Sequence, residues 1–128
     1  LCPVEAVIEG QALSAGGMIA LSADNLVVND YCILMAHHAS YGSVGTVANI
    51  KAHVDFTTEQ TERFIRDVYK HYLTPTEIEE MIRNKEIWHQ DEEIRKRWNN
   101  VLDARQAEWE SELEESEPLP LDEEPLLH

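Results

Sequence analysis

The chain has 128 residues, 43% of them hydrophobic, with 25 acidic and 10 basic side chains and a formal net charge of −15. This size and apolar content suit one modest folded domain, and the negative charge excludes a nucleic-acid-binding surface, which requires clustered Lys and Arg. No apolar run reaches membrane-spanning length, and the two cysteines cannot form the disulfide framework of a small secreted protein. We therefore expect a cytoplasmic protein that binds neither nucleic acid nor membranes.

The first predicted elements are short and change between strand and helix patterns. Residues 4–9 (VEAVIE) are rich in β-branched side chains and are bounded by Pro3 and Gly10, which predicts a buried strand. Residues 15–22 (AGGMIALS) predict a helix whose glycines allow close approach to that strand. Two further strands are predicted at residues 26–28 and 31–36. This order favours a layered α/β core over a helical bundle.

Longer helices are predicted after the glycine-rich loop at residues 41–45. Apolar side chains recur at helical spacing over residues 46–73, which predicts one long helix with an interruption near Thr57. A capping box from Thr74 to Glu77 then begins a second helix, and a third begins near residue 90. Residues 1–103 are thus predicted to be the folded part, and residues 104–128 an acidic, proline-containing, disordered tail.

One serine stands at the predicted junction between the first strand and the first helix. Ser14 lies between small residues in the stretch EGQALSAGGMIALSAD. A sharp strand-to-helix turn exposes a hydroxyl, and the following N–H lies at the helix N-terminus, where an oxyanion can be stabilised. This pattern is typical of an acyl-transfer nucleophile. The alternative is a small residue at a tight packing point between strand and helix.

Three segments resemble, in the same order, the Clp protease proteolytic subunit family, and most closely its phage and prophage members. They are GQALSAGGMIAL with Ser14, ILMAHHASYG with His37, and NKEIWHQDEEI with Glu86. The resemblance covers about residues 4–95 and implies a crotonase-like fold of which this chain is the C-terminal portion. It also implies serine endopeptidase activity. The family usually has Asp where Glu86 stands.

The resemblance implies a role for each matching residue. Ser14 would be the nucleophile, His37 the general base and Glu86 the triad acid, with the Ala15 N–H as one oxyanion donor. It implies no metal or other cofactor. The family's second oxyanion donor lies upstream of these residues, so we expect this chain alone to be weakly active or inactive.

The family also implies an assembly. Its members form homo-oligomeric rings around a proteolytic chamber, often fed by an ATP-dependent unfoldase, and phage members process capsid and scaffold proteins. The helix at residues 46–73 would be the handle that packs ring against ring. A protein or peptide substrate is the expected partner.

Three other functions remain open. The SAGG segment and GSVG at residues 42–45 resemble the signal peptide peptidase A family, in which Lys51 or Lys70 would serve as the base of a Ser-Lys dyad. Residues 10–30 also resemble enoyl-CoA hydratases, whose oxyanion hole stabilises a thioester enolate. The third alternative is a non-catalytic assembly subunit. Among the remaining histidines, no metal-ligand spacing is found at His38, His53, His71 or His89.

Overall fold

A computed structural model describes residues 2–116 of the chain and has a mixed α/β architecture. The α/β prediction is therefore confirmed at this level. Within these residues there are five strands and four helices: β1 (Glu5–Ile8), β2 (Gln11–Leu13), α1 (Ala15–Leu21), β3 (Asn25–Val28), β4 (Ile33–Ala36), α2 (Val47–Tyr69), α3 (Pro75–Ile82), β5 (Ile87–Gln90) and α4 (Asp91–Ser116).

The strands form two small sheets. In the first sheet β1 pairs with β3, and in the second the order is β2-β4-β5. The pairs β1–β3 and β2–β4 are parallel, whereas β4 and β5 are antiparallel. Strands β2 and β5 were not predicted, because strands of three and four residues form where β4 offers hydrogen-bonding partners and carry little pattern of their own.

Helix α1 packs closely on the second sheet at one glycine. A Cβ atom at Gly17 would lie 3.2 Å from the carbonyl oxygen of Ala12 and 3.5 Å from both Leu34 Cγ and the carbonyl oxygen of Met35. At Gly16 a Cβ atom would meet nothing within 4 Å. The close approach therefore depends on Gly17 alone and is made to β2 and β4, not to the strand at residues 4–9 as predicted.

Helices α2 and α3 each begin after a threonine cap, of which the one at Thr74 was predicted. The Thr46 hydroxyl accepts a hydrogen bond from the Asn49 N–H, and α2 then continues to Tyr69 without the predicted interruption near Thr57. At α3, the Thr74 hydroxyl accepts from the Glu77 N–H at 3.2 Å, and the Glu77 carboxylate accepts from the Thr74 N–H at 2.8 Å. The capping-box prediction is confirmed.

The core lies between the sheets, α1, the C-terminal end of α2, α3 and the first half of α4. Its fully buried side chains include Leu21, Leu34, Ile65, Tyr69, Met81 and Ile94. Among residues 2–116, no helix has both the length and the apolar composition that a membrane crossing requires.

Helix α4 corrects the prediction of a disordered tail. Residues 104–116 are helical, whereas residues 117–128 of the predicted tail lie outside the described residues. The Arg105 guanidinium donates hydrogen bonds of 2.7 Å to the carbonyl oxygens of Leu21 and Ala23. Glu108 accepts from Lys70 at 3.0 Å. These contacts attach the acidic segment to α1 and to the end of α2, which its composition alone could not predict.

Candidate active site

Ser14 occupies a strained turn between β2 and α1. Its backbone has φ 54° and ψ −119°, a conformation that costs a residue with a side chain of order 1–3 kcal/mol. Two backbone hydrogen bonds hold it there: the Ser14 N–H donates to the Met35 carbonyl at 2.9 Å, and the Ser14 carbonyl accepts from the Met18 N–H at 3.2 Å. The predicted serine at a sharp strand-to-helix turn is thus present.

His37 follows β4 directly and reaches this turn. Strands β2 and β4 are parallel neighbours with Leu13 beside Met35, so the residues that follow them meet at one edge of the sheet. The His37 Nε2 atom lies 2.7 Å from the Ser14 hydroxyl oxygen, in a partly buried position. With the proton of the neutral imidazole placed on Nδ1, Nε2 accepts the hydroxyl hydrogen, which is the contact of a nucleophile with its general base.

Ala15 is the first residue of α1. Its backbone N–H belongs to the first turn of the helix, where N–H groups have no intrahelical carbonyl partner. Within residues 2–116 this N–H donates to no backbone or side-chain acceptor. It is therefore available to a negatively charged oxygen beside Ser14, which the helix dipole would also favour.

Glu86 lies near the pair without contacting it. The antiparallel ladder of β4 and β5 ends with Ala36 opposite Ile87, so the next position outward has His37 opposite Glu86. The Glu86 side chain is exposed, and its Oε2 atom accepts a hydrogen bond from the Trp88 indole at 3.2 Å. In the part of the chain that the structure describes, no hydrogen bond joins Glu86 to His37.

The lysines of the alternative dyad have other partners. The Lys51 ammonium lies 2.6 Å from the Asp55 carboxylate, and the Lys70 ammonium lies 3.0 Å from the Glu108 carboxylate. The Ser14 hydroxyl is hydrogen-bonded to His37 instead. The structure therefore brings neither lysine to Ser14.

The histidine that follows His37 is not part of the Ser14–His37 pair. His38 is half-buried, and its Nδ1 atom lies 3.1 Å from the Ala39 carbonyl oxygen. Among residues 2–116, no three His, Cys, Asp or Glu side chains are grouped closely enough to hold a metal ion.

An apolar cavity is lined in part by Ala15, the residue after Ser14, and was not anticipated from the sequence. It has a volume of about 380 Å³ and opens to solvent along α1. Phe64 of α2 also lines it. The other lining residues are Val4, Ala15, Met18, Ile19, Ser22, Ala23 and Asp24. Only the packing of α2 against α1 creates this cavity, so no local pattern could have revealed it.

A second histidine–hydroxyl contact lies in the core. His89 is on β5, and its Nδ1 atom lies 3.0 Å from the buried Tyr72 hydroxyl. Burial, and secondly the charge of Arg97, lower the pKa of His89. The Arg97 guanidinium donates to Glu77 at 2.7 and 2.8 Å and to Glu93 at 2.7 Å. The hydrogen bond from Arg97 is the largest cause that lowers the pKa of Glu77 to about 2.

Comparison with protein-family models finds no match to this chain, and comparison with curated proteins finds none either. The family assignment thus stays a prediction from the three motif segments. The functional conclusion rests on the geometry around Ser14.

Proposed function

We propose that this chain belongs to a serine endopeptidase in which Ser14 attacks the peptide carbonyl and His37 is the general base. The observation that carries this proposal is the 2.7 Å contact between His37 Nε2 and the Ser14 hydroxyl at a strained turn. The free Ala15 N–H at the start of α1 supports it, because acyl transfer needs a donor for the carbonyl oxygen.

The reaction follows from this geometry. The hydroxyl proton of Ser14 moves to His37 Nε2 while the serine oxygen bonds to the carbonyl carbon, and the carbonyl oxygen becomes negative beside the Ala15 N–H. When the tetrahedral intermediate collapses, the C–N bond breaks and the departing amine takes the proton from His37. Water then attacks the acyl-enzyme by the same route and releases the carboxylic acid. Glu86 would stabilise the charged imidazolium.

The cavity indicates the substrate class. Because Ala15 lines it directly after the nucleophile, the side chain next to the scissile bond would enter it. Its lining by Met18, Ile19 and Phe64 favours a large apolar side chain, whose full burial is worth about 1.5–3 kcal/mol. We infer that cleavage follows residues such as Leu, Met or Phe.

The Clp protease-like, crotonase-like fold and the oligomeric ring belong to the same proposal. The order and spacing of the three motif segments support the fold. Exposed apolar side chains at the start of α2 and just before it support an assembly surface, among them Val44, Val47 and Phe56. A cytoplasmic location, an ATP-dependent unfoldase partner and a role in phage head maturation or protein turnover accompany this proposal.

Fluorophosphonate labelling of the full chain tests the chemistry, because the probe needs an activated serine but not a complete peptide-binding surface. We expect labelling of the wild type, loss in Ser14→Ala and His37→Ala, and retention in His38→Ala, Lys51→Ala and Lys70→Ala. Loss in a lysine variant with retention in His37→Ala would assign a Ser-Lys dyad. A folded wild type that is not labelled would favour a hydratase-like or non-catalytic role.

A further inference from the structure

Trp88 stands beside the candidate site on an open face of the second sheet. It pairs with Met35 of β4, two positions inward from the point where His37 faces Glu86. Because side chains alternate along a strand, Trp88 and Glu86 lie on one face of β5 and His89 on the other. The Trp88 side chain is nevertheless 54% exposed. An apolar core role does not explain an indole so open to solvent.

The Trp88 indole is hydrogen-bonded to Glu86, the carboxylate that the proposed reaction would use. Trp88 Nε1–H donates to Glu86 Oε2 at 3.2 Å, which leaves Oε1 free to accept another hydrogen bond. Among the described residues His37 uses Nε2 toward Ser14 and has no side-chain partner at Nδ1. Side chains directly opposite one another on antiparallel strands have Cβ atoms about 4.5–5.5 Å apart, so this position suits an approach of the carboxylate to Nδ1–H.

We propose that Trp88 is a positioning residue that holds the Glu86 carboxylate in place to accept a hydrogen bond from His37 Nδ1–H during the reaction. This proposal rests on the proposed serine-peptidase function. An exposed glutamate has many rotamers, and a carboxylate that samples them all stabilises the imidazolium for only part of the time. A hydrogen bond to a strand residue two positions away reduces that freedom.

The test is a double-mutant cycle on the rate of fluorophosphonate labelling by the full chain. We expect Glu86→Gln to slow labelling by about tenfold or more, since the imidazolium loses its counter-charge. Trp88→Phe should slow it by about three- to tenfold, the change that one hydrogen bond of ordinary net strength produces. In the Glu86→Gln background, Trp88→Phe should have no further effect, because it acts through Glu86.

Trp109→Phe is the matched control. Trp109 is 56% exposed, nearly the same as Trp88, but it lies on α4 beyond the contacts of Arg105 and Glu108 with the core. Its replacement should leave the labelling rate unchanged. A loss equal to that of Trp88→Phe would attribute both effects to a general disturbance of the fold and would overturn the proposal.

The pH dependence of labelling separates positioning from a merely structural role. Removing or displacing the negative charge beside His37 should move the acidic limb of the labelling rate to lower pH in both Glu86→Gln and Trp88→Phe. A structural role of Trp88 would lower the rate equally at every pH and would contradict positioning.

Two results distinguish failure of this proposal from failure of the proposed function. If Ser14→Ala abolishes labelling but Trp88→Phe labels as fast as the wild type or faster, the positioning role is wrong while the Ser14–His37 chemistry stands. Faster labelling would mean that the indole holds Glu86 away from His37. If the wild type is not labelled at Ser14, both proposals are wrong.

Discussion

Two of the histidine–hydroxyl contacts within residues 2–116, those of His37 and His89, have surroundings that differ in almost every other respect. His37 lies 2.7 Å from Ser14 at a partly buried sheet edge, at the start of α1, whose first residue Ala15 lines a cavity. His89 lies 3.0 Å from Tyr72 in the core. There burial raises the pKa of Tyr72, so the phenol keeps its proton, and neighbouring charges are paired. The same type of hydrogen bond can therefore activate a nucleophile at one place and stabilise the fold at the other.

The largest expected effect separates activity from stability at Ser14. Ser14→Ala should abolish labelling while the free energy of unfolding changes by less than about 0.5 kcal/mol, because the residue is partly exposed and its backbone hydrogen bonds remain. Chemical denaturation measured beside labelling checks this. A large loss of stability would indicate that Ser14 is a packing residue, the alternative left open by the sequence.

Replacing Arg97 should lower the stability of the fold but keep the labelling, which is the opposite of the result expected for Ser14→Ala. Arg97→Met leaves the Glu77 carboxylate without its cation in a largely buried cluster, and we expect a loss of about 2–3 kcal/mol in the free energy of unfolding. Labelling below the unfolding transition should persist. Arg66→Met is the control, because the ion pair of Arg66 with Glu79 is solvent-exposed and should contribute little to the free energy of unfolding. Equal losses of stability in Arg97→Met and Arg66→Met would contradict this difference between a largely buried and an exposed ion pair.

Substitutions at Gly16 and Gly17 test how strongly the candidate site depends on the packing of α1 against the second sheet. Gly17→Ala places a methyl group against the Ala12 carbonyl, so we expect a loss of about 1–3 kcal/mol and slower labelling, since Ser14 precedes this helix. Gly16→Ala enters open space and should stabilise the helix by up to about 1 kcal/mol. Thermal unfolding and labelling of both variants measure this. Unchanged labelling in Gly17→Ala would show that the Ser14 turn is independent of the packing of α1.

The smallest expected effect concerns pH and the core histidine. Because the pKa of His89 is lower in the folded protein than its ordinary value near 6.5, the unfolded chain takes up a proton first as pH falls. The contribution of neutral His89 is therefore complete above about pH 6.5 and is lost as pH falls below it toward the folded pKa. His89→Gln should flatten this part of the stability–pH curve, whereas His38→Gln should leave it unchanged. Urea denaturation between pH 5 and 8 provides the measurement.

Several features were predictable because they depend on neighbouring residues. The Thr74–Glu77 capping box, the long α2 helix and the strand-to-helix turn at Ser14 are each determined by residues a few positions apart. Strands β2 and β5 were missed, since their extended conformation depends on pairing with β4. The helical segment 104–116 was predicted to be disordered from its charge, and contacts with distant residues overcame that tendency.

The sequence by itself determined the class of structure, the strained serine turn and the types of residue that could react there, because these follow from local conformation and side-chain chemistry. Only the tertiary structure decided that His37 rather than a lysine meets Ser14, 23 positions away in the chain. Parallel pairing of β2 with β4 brings their ends together, and antiparallel pairing with β5 places Glu86 opposite His37. Strand register is a property of distant segments in contact, so no local pattern encodes it.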